Sequence, residues 1–298
     1  RVLFRSCARP TRHVGRGYVI ATDRMRIQGM TKSITAFGLG CAAAGMLLAG
    51  MASAAPDANT VAGIWLFDGD ADDASVNGNH ADFQNGAKTA AGGRFGEALS
   101  LDGENDFVLV PSSASLESTA EEWTGMAWIN LVQREADAAA QCCSDDHLIY
   151  AFTAAWHNLF LVFGPGRGAN QGKVEAGSLE LAPQWMSGPT VVEDDSWHHL
   201  AYTYDGSTKT IWVDGVVDVD QAAGGTTNLI AMDMSIGGTA TERWAHGLID
   251  EVALFNVALS AADIGAIKDD GLGKTFGLTP VDPQGKAAMT WGVLKTAR

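Results

Sequence analysis

The sequence predicts an all-β sandwich or barrel, and three observations carry that expectation. Short β-branched and aromatic runs recur along the chain, each stopped by a cluster of Gly, Asp or Asn. Helical periodicity is almost absent between those runs, which argues against alternating α/β units. The chain holds 35 glycines in 298 residues, as suits a fold of many tight turns.

Taken in order, the chain opens with a segment set apart from that pattern. Residues 1–29 are Arg-rich, have no apolar period and read as an upstream extension. From Met30 the layout is that of a secretory signal peptide over 30–54: Lys32 is the positive start, Ile34 to Met51 is uncharged, and Ala52-Ser53-Ala54 is a cleavage site. The uncharged run from Ser33 to Pro56 leaves a retained membrane anchor as the other reading. After cleavage no membrane span is expected, and the mature protein would lie outside the cell, at its surface or in a periplasm. Only Cys142 and Cys143 then remain, and neighbouring cysteines rarely bond each other.

The strands follow. Val61–Phe67 ends at Asp68-Gly69-Asp70. Ala98–Leu101 and Phe107–Val110 flank Asp102-Gly103-Glu104-Asn105-Asp106, which reads as a hairpin turn. Trp123–Val132, Leu148–Thr153, Leu159–Phe163 and His198–Tyr204 come next. Thr210–Val213 stops at Asp214-Gly215, a two-residue hairpin turn. Met232–Ile236 and His246–Phe255 complete the set. Arg134–Asp146, Gly164–Gln171 and Ala182–Asp195 are the expected long loops. One helix is predicted, capped by Ser260, spanning Ala261–Lys268 and ended by Gly271 or Gly273. One domain is expected over 58–272, with a tail over 273–298.

Charge narrows the partners. Residues 1–54 hold 8 of the 20 Lys+Arg and one of the 35 Asp+Glu, so the rest carries 12 basic against 34 acidic groups. So acidic a body repels nucleic acid and anionic membranes, and suits divalent cations or neutral glycans.

Four segments carry a family resemblance. They are Gly63-Ile64-Trp65-Leu66-Phe67-Asp68 with Asn77 to His80; Gly93-Arg94-Phe95-Gly96 running on to Val108; Ser196 to Gly206 with Trp212 to Gly215; and Gly247-Leu248-Ile249-Asp250-Glu251 running on to Ser260. Together, over roughly residues 60–272, they resemble the LamG-type jelly-roll domain of bacterial extracellular proteins, a concanavalin A-like lectin/glucanase fold. The resemblance implies a two-sheet antiparallel jelly-roll sandwich and a lectin, adhesion or carbohydrate-binding role. Trp65, Phe67, Leu99, Leu101, Trp128, Trp197, Tyr202, Trp212 and Phe255 are its expected core. Phe95 would plug one end of the sandwich. His198 and His199 would point to opposite faces, one packed and one exposed.

The acids are the candidates for chemistry. A glycoside hydrolase needs two carboxyl groups flanking a cleft. The Glu-x-Asp-x-x-Glu pattern of concanavalin-like glucanases is matched only in part, at Glu135-Ala136-Asp137 and Glu193-Asp194-Asp195, and Asp250 and Glu251 would alternate faces. Calcium is the expected cofactor, because hard cations take carboxylate and carbonyl oxygens from loops. Resemblance to calcium-binding jelly rolls implies that Asp102 or Asp106 meets Asp68 or Asp250; the other reading is that Asp102 and Asp106 only shape their turn. Trp156, His157, Asn158, Trp185, Arg243 and Trp244 fall in or near expected loops. If those loops share a rim they make a sugar-binding surface, and otherwise they cover the sandwich ends. The expected function is non-catalytic binding of a polysaccharide or glycoprotein. An adhesive surface protein with a protein partner and a hydrolase of the same fold are the alternatives.

Overall fold

A computed structural model describes residues 56–135, 145–152 and 157–278. The expected upstream segment and signal peptide, Cys142 and Cys143, Trp156, and the tail beyond Leu278 lie outside the described residues.

Fifteen strands are described: β1 (Val61–Trp65), β2 (Asp82–Gln84), β3 (Lys88–Ala91), β4 (Glu97–Asp102), β5 (Phe107–Val110), β6 (Trp123–Leu131), β7 (His147–Phe152), β8 (His157–Val162), β9 (Lys173–Gly177), β10 (Trp185–Val191), β11 (His198–Tyr204), β12 (Thr208–Val213), β13 (Val216–Ala222), β14 (Met234–Ile236) and β15 (His246–Phe255). Two helices join them, the single turn α1 (Ala114–Glu117) and α2 (Ala261–Thr275). One sheet runs β13-β12-β11-β6-β15-β4-β3, with β1 also on β15; the other runs β10-β9-β8-β7-β14-β5-β2. All the pairings are antiparallel. This is the expected jelly-roll sandwich.

Alternation builds the core. Trp65, Leu99, Ile129, Tyr202 and Leu254 of the first sheet meet Val108, Tyr150, Phe160, Val174 and Ile236 of the second in one buried cluster. Each such side chain contributes about 1.5–3 kcal/mol when fully buried. A second cluster lies on the outer face of the first sheet. There Ile264, Ile267 and Leu272 of α2 cover Val61, Ile64, Met126, Ala253 and Phe255. The helix starts as its sequence dictates, with Ser260 and Asp263 forming a reciprocal capping box. Gly271 leaves helical conformation (φ 75°, ψ 161°), and the chain then makes another turn to Thr275. The helix therefore continues two residues past 273, where the tail was expected to begin.

Several expectations are corrected. Asp102–Asp106 is not a hairpin turn, because β4 and β5 belong to different sheets. Both strands bury side chains in the central cluster, so the five residues cross from one sheet to the other instead of folding back. Ala182–Asp195 is not all loop: β10 occupies its middle. Its Ser187, Pro189, Thr190 and Val191 are exposed, a polar edge strand that lacks an apolar signature. Of the expected core, Trp212 and Phe255 belong to the outer cluster under α2, and Trp197 is half-buried. Phe95 plugs no end. It packs edge-on to Trp128 at 6.3 Å, with Arg94 over the same indole at 4.5 Å. The Asp214-Gly215 hairpin is present, with φ of 52° and 82°.

Candidate functional site

Three of the family-like segments converge on the outer face of the first sheet, and a β-bulge brings them together. Between β15 and β6 the register shifts, with Asp250 opposite Trp128 but Ala253 opposite Met126. One extra residue is thus accommodated on β15. Ile249 and Val252 both face the central core, while Glu251 takes φ 52°. Asp250 and Glu251 therefore do not alternate faces as a regular strand requires. Both lie on the side where Asp68 follows the end of β1, and their charges act on one another.

The turn between β3 and β4 supplies backbone donors to this cluster. The Phe95 N–H donates to Asp250 Oδ2 at 3.0 Å, and the Glu97 N–H to Asp68 Oδ1 at 2.8 Å. This explains Gly93 and Gly96. A Cβ on Gly93 would lie 2.9 Å from Asp250 Oδ2, and one on Gly96 would lie 2.0 Å from Asp68 Oδ1. Only glycine lets the carboxylates approach the backbone this closely. Glu251 Oε2 accepts from the Leu272 N–H where α2 kinks.

Asp250 is completely buried, and its Oδ1 has no hydrogen-bond partner. Burial pushes its carboxyl up to about 7, against the pull of backbone donors and with a further push from Asp68. Burial pushes Glu251 up to about 8, and the charges of Asp250 and Asp68 add to it. Asp68 and Glu251 also line a cleft of about 550 Å³ with Leu66, Phe95 and Gly271.

The expected calcium quartet divides. Asp68 and Asp250 are together, but Asp102 and Asp106 lie in another turn. Asp102 Oδ1 accepts the Glu104 N–H at 2.8 Å, and Asp106 accepts the Gly86 N–H at 2.7 Å and the Asp102 N–H at 3.3 Å. The alternative reading, that these two shape their turn, describes them. Among the described residues no group of three or more His, Cys, Asp or Glu side chains is arranged to hold a metal ion. The donor set at Asp68 and Asp250 nonetheless suits a hard cation. It offers carboxylate oxygens, one of them buried and unpartnered, and calcium completes its shell with backbone carbonyls and water.

Among the described residues, the expected sugar contacts do not form an exposed rim. His157 and Asn158 are buried in β8, not in a loop. His157 Nδ1 meets Glu180 Oε1, and the Asn158 amide reaches Thr119 O at 3.5 Å. Trp185 lies in β10, half-buried against Leu148, Leu159 and Phe163. Arg243 is buried and spends its guanidinium inside the protein. Its Nη1 donates to Asp146 Oδ2 at 2.8 Å, and Arg167 grips the same carboxylate from Nε at 2.9 Å and Nη2 at 2.5 Å. Trp244 donates from Nε1 to Thr239 O at 2.7 Å.

Glu193, part of an incomplete acidic motif in the sequence, is joined here to Arg134 and His147. The Arg134 N–H donates to Glu193 Oε1 at 2.9 Å, and His147 Nε2 lies 3.4 Å from the same oxygen. His147 Nδ1 accepts the His246 N–H at 3.1 Å, so the ring proton sits on Nε2 and faces Glu193. The partners are 59 and 46 residues apart in sequence, and no local pattern joins them. Of the two adjacent histidines, expected to be one packed and one exposed, His199 is packed and His198 is half-buried. His198 lies between Asp214 and Asp194 at 2.8 and 3.2 Å, and His199 is buried, its imidazole pushed down to about 3 by loss of water.

The likenesses to known proteins agree with this architecture. Domain 4 of AbnA, a GH43 extracellular arabinanase from Geobacillus stearothermophilus, whose structure is a complex with arabinotriose, superposes with a TM-score of 0.54 at 16% identity, covering 70% of this chain and 98% of that one. The binding domain of Paraclostridial Mosquitocidal Protein 1 superposes at 0.53 and 11% identity, covering 71% and 52%. The binding domain of botulinum neurotoxin serotype D does so at 0.52 and 11% identity, again covering 71% and 52%. This chain thus spans about half the length of those two toxin domains, and at such identities the likeness concerns fold alone. No curated protein sequence matches. The family described as the concanavalin A-like lectin/glucanases superfamily matches residues 102–265. With that match over more than half its length, and with the two-sheet sandwich observed, the chain belongs to the concanavalin A-like lectin/glucanases superfamily.

Proposed function

We propose that the protein is a non-catalytic binding module that recognises a polysaccharide or glycoprotein, with calcium held at Asp68 and Asp250. The observation that carries this reading is the unpartnered, buried Asp250 Oδ1 beside Asp68, in a cradle kept open by Gly93 and Gly96. An ionised carboxylate deprived of water needs a positive partner, and the neighbouring Asp68 adds negative charge instead. Calcium would supply that charge. Asp68, Asp250 and the amides of the 93–97 turn would then tie the end of β1 to β15. The arabinotriose complex of the similar arabinanase domain supports a saccharide as the partner class. The leader pattern of residues 30–54 supports export, to the exterior, the cell surface or a periplasm.

A hydrolase is the second reading, because Asp68 and Glu251 line one cleft and Glu251 is pushed to about 8, the protonated state a general acid requires. Each of these carboxylates, however, already accepts a backbone N–H, which favours holding over proton transfer. Retention of the protein on immobilised polysaccharides, in calcium and then in EDTA, tests the reading. Retention that EDTA abolishes is expected. Release of new reducing ends from the bound glycan would replace the module with the hydrolase.

A further inference from the structure

A polar cleft of about 420 Å³ shares no lining residue with the cleft at the acidic cluster. Gln133, Arg134 and Glu135 reach it from the segment after β6, Gln171 from the approach to β9, and Glu193 from the β10–β11 connection. Glu193 is 1% exposed. It is fixed by Val192, its neighbour in the central core, and by the bonds that Oε1 accepts. Its Oε2 has no partner. Buried polar atoms in native proteins are almost always bonded, so an orphaned oxygen on a carboxylate residue that lines a cleft points to a donor from outside the chain.

The lining says what kind of donor. Arg134 gives one guanidinium N–H to Trp244 O at 3.2 Å and has four more to offer. Gln171 gives its amide to Arg134 O at 2.7 Å, which leaves its own oxygen as an acceptor. The Gln133 side chain is exposed at the mouth. A metal ion would meet the guanidinium of Arg134, an anion would meet Glu193 and Glu135, and an apolar ligand would strand all of these groups. A molecule with many hydroxyls satisfies both kinds, since each hydroxyl donates once and accepts twice.

We propose that this cleft seats a neutral saccharide, with one hydroxyl donating to Glu193 Oε2 and neighbouring oxygens accepting from Arg134 and Gln133. The proposal rests on the reading of the protein as a carbohydrate-binding module and gives that reading a place and a ligand charge. The test is calorimetric titration of the full chain with neutral oligosaccharides, arabinotriose first, and with a polyuronate, all at fixed calcium. Wild type, Glu193→Gln and Gln133→Ala are compared, and melting curves establish that each is folded. The expected result is neutral-saccharide binding that Glu193→Gln weakens about tenfold or more and Gln133→Ala by several-fold, since a hydrogen bond to a charged group is worth about 1.5–3 kcal/mol. Gln133→Ala decides the matter if Glu193→Gln does not fold. Binding left intact in the folded variants overturns the cleft while the module reading stands. Preference for the polyuronate overturns the neutral ligand alone. No saccharide binding by wild type overturns this proposal and the module reading together.

Discussion

Asp146 and Asp250 are both buried carboxylates, and their surroundings are opposites. Asp146, at the loop end of the sandwich, is gripped by two guanidinium groups, those of Arg167 and Arg243, and also accepts the Gly164 N–H at 3.1 Å. Asp250, on the outer face of the first sheet, has backbone amides on one oxygen and nothing on the other, with Asp68 and Glu251 beside it. The first charge is compensated within the chain and braces the scaffold. The second is left for something the chain does not contain. Burial alone therefore does not distinguish a structural carboxylate from a binding one. The identity of the neighbours does.

Substitution should separate the two sites by sign. Asp146→Ala leaves two guanidinium groups facing each other in a buried setting, and it should lower stability by about 3–5 kcal/mol in denaturant unfolding. Asp250→Asn removes a charge that nothing balances, so in EDTA at pH 8 it should raise the melting temperature. A large loss of stability in Asp250→Asn under those conditions would mean that the comparison is wrong.

The pH dependence sharpens the same contrast. Folding lifts Asp250 from 3.8 to about 7 and Glu251 from 4.5 to about 8. Between about pH 4 and 8 the folded protein therefore binds more protons than the unfolded chain, and stability falls as pH rises through that window. Melting curves in EDTA should show this fall, and the double variant Asp250→Asn, Glu251→Gln should flatten it. The smallest effect is expected at the cradle. Gly96→Ala places a Cβ against Asp68 at φ +80° and should lower stability by about 1–3 kcal/mol, read by chemical denaturation.

Much of the fold was legible in the sequence because its central strands are continuous apolar runs. β1, β5, β6, β7, β8, β11 and β15 are buried along nearly their whole length. Five strands were missed: β2, β3, β10 and β13 are mostly exposed, β9 is a short run broken by Lys173 and Glu175, and their pairing is decided by neighbours distant in sequence rather than by their own pattern. At the acidic site Asp68 and Asp250 were legible as candidates. The part of Glu251 was not, because strict alternation puts it on the opposite face and only the bulge returns it. Arg243 and His157 were misjudged because polarity was taken as a sign of exposure, whereas both find charged partners inside the protein. Glu193 was weighed only within a local motif, and its setting comes from Arg134 and His147 across the fold.

The most direct test of the account is thermal melting of the protein in calcium and in EDTA, with Asp250→Asn and Asp146→Asn alongside. Calcium should raise the melting temperature of wild type, by the equivalent of about 2.7 kcal/mol at a concentration a hundredfold above the dissociation constant. That gain should vanish in Asp250→Asn and persist in the less stable Asp146→Asn. Equal melting temperatures of wild type in calcium and EDTA, or a calcium shift that survives Asp250→Asn, would contradict it.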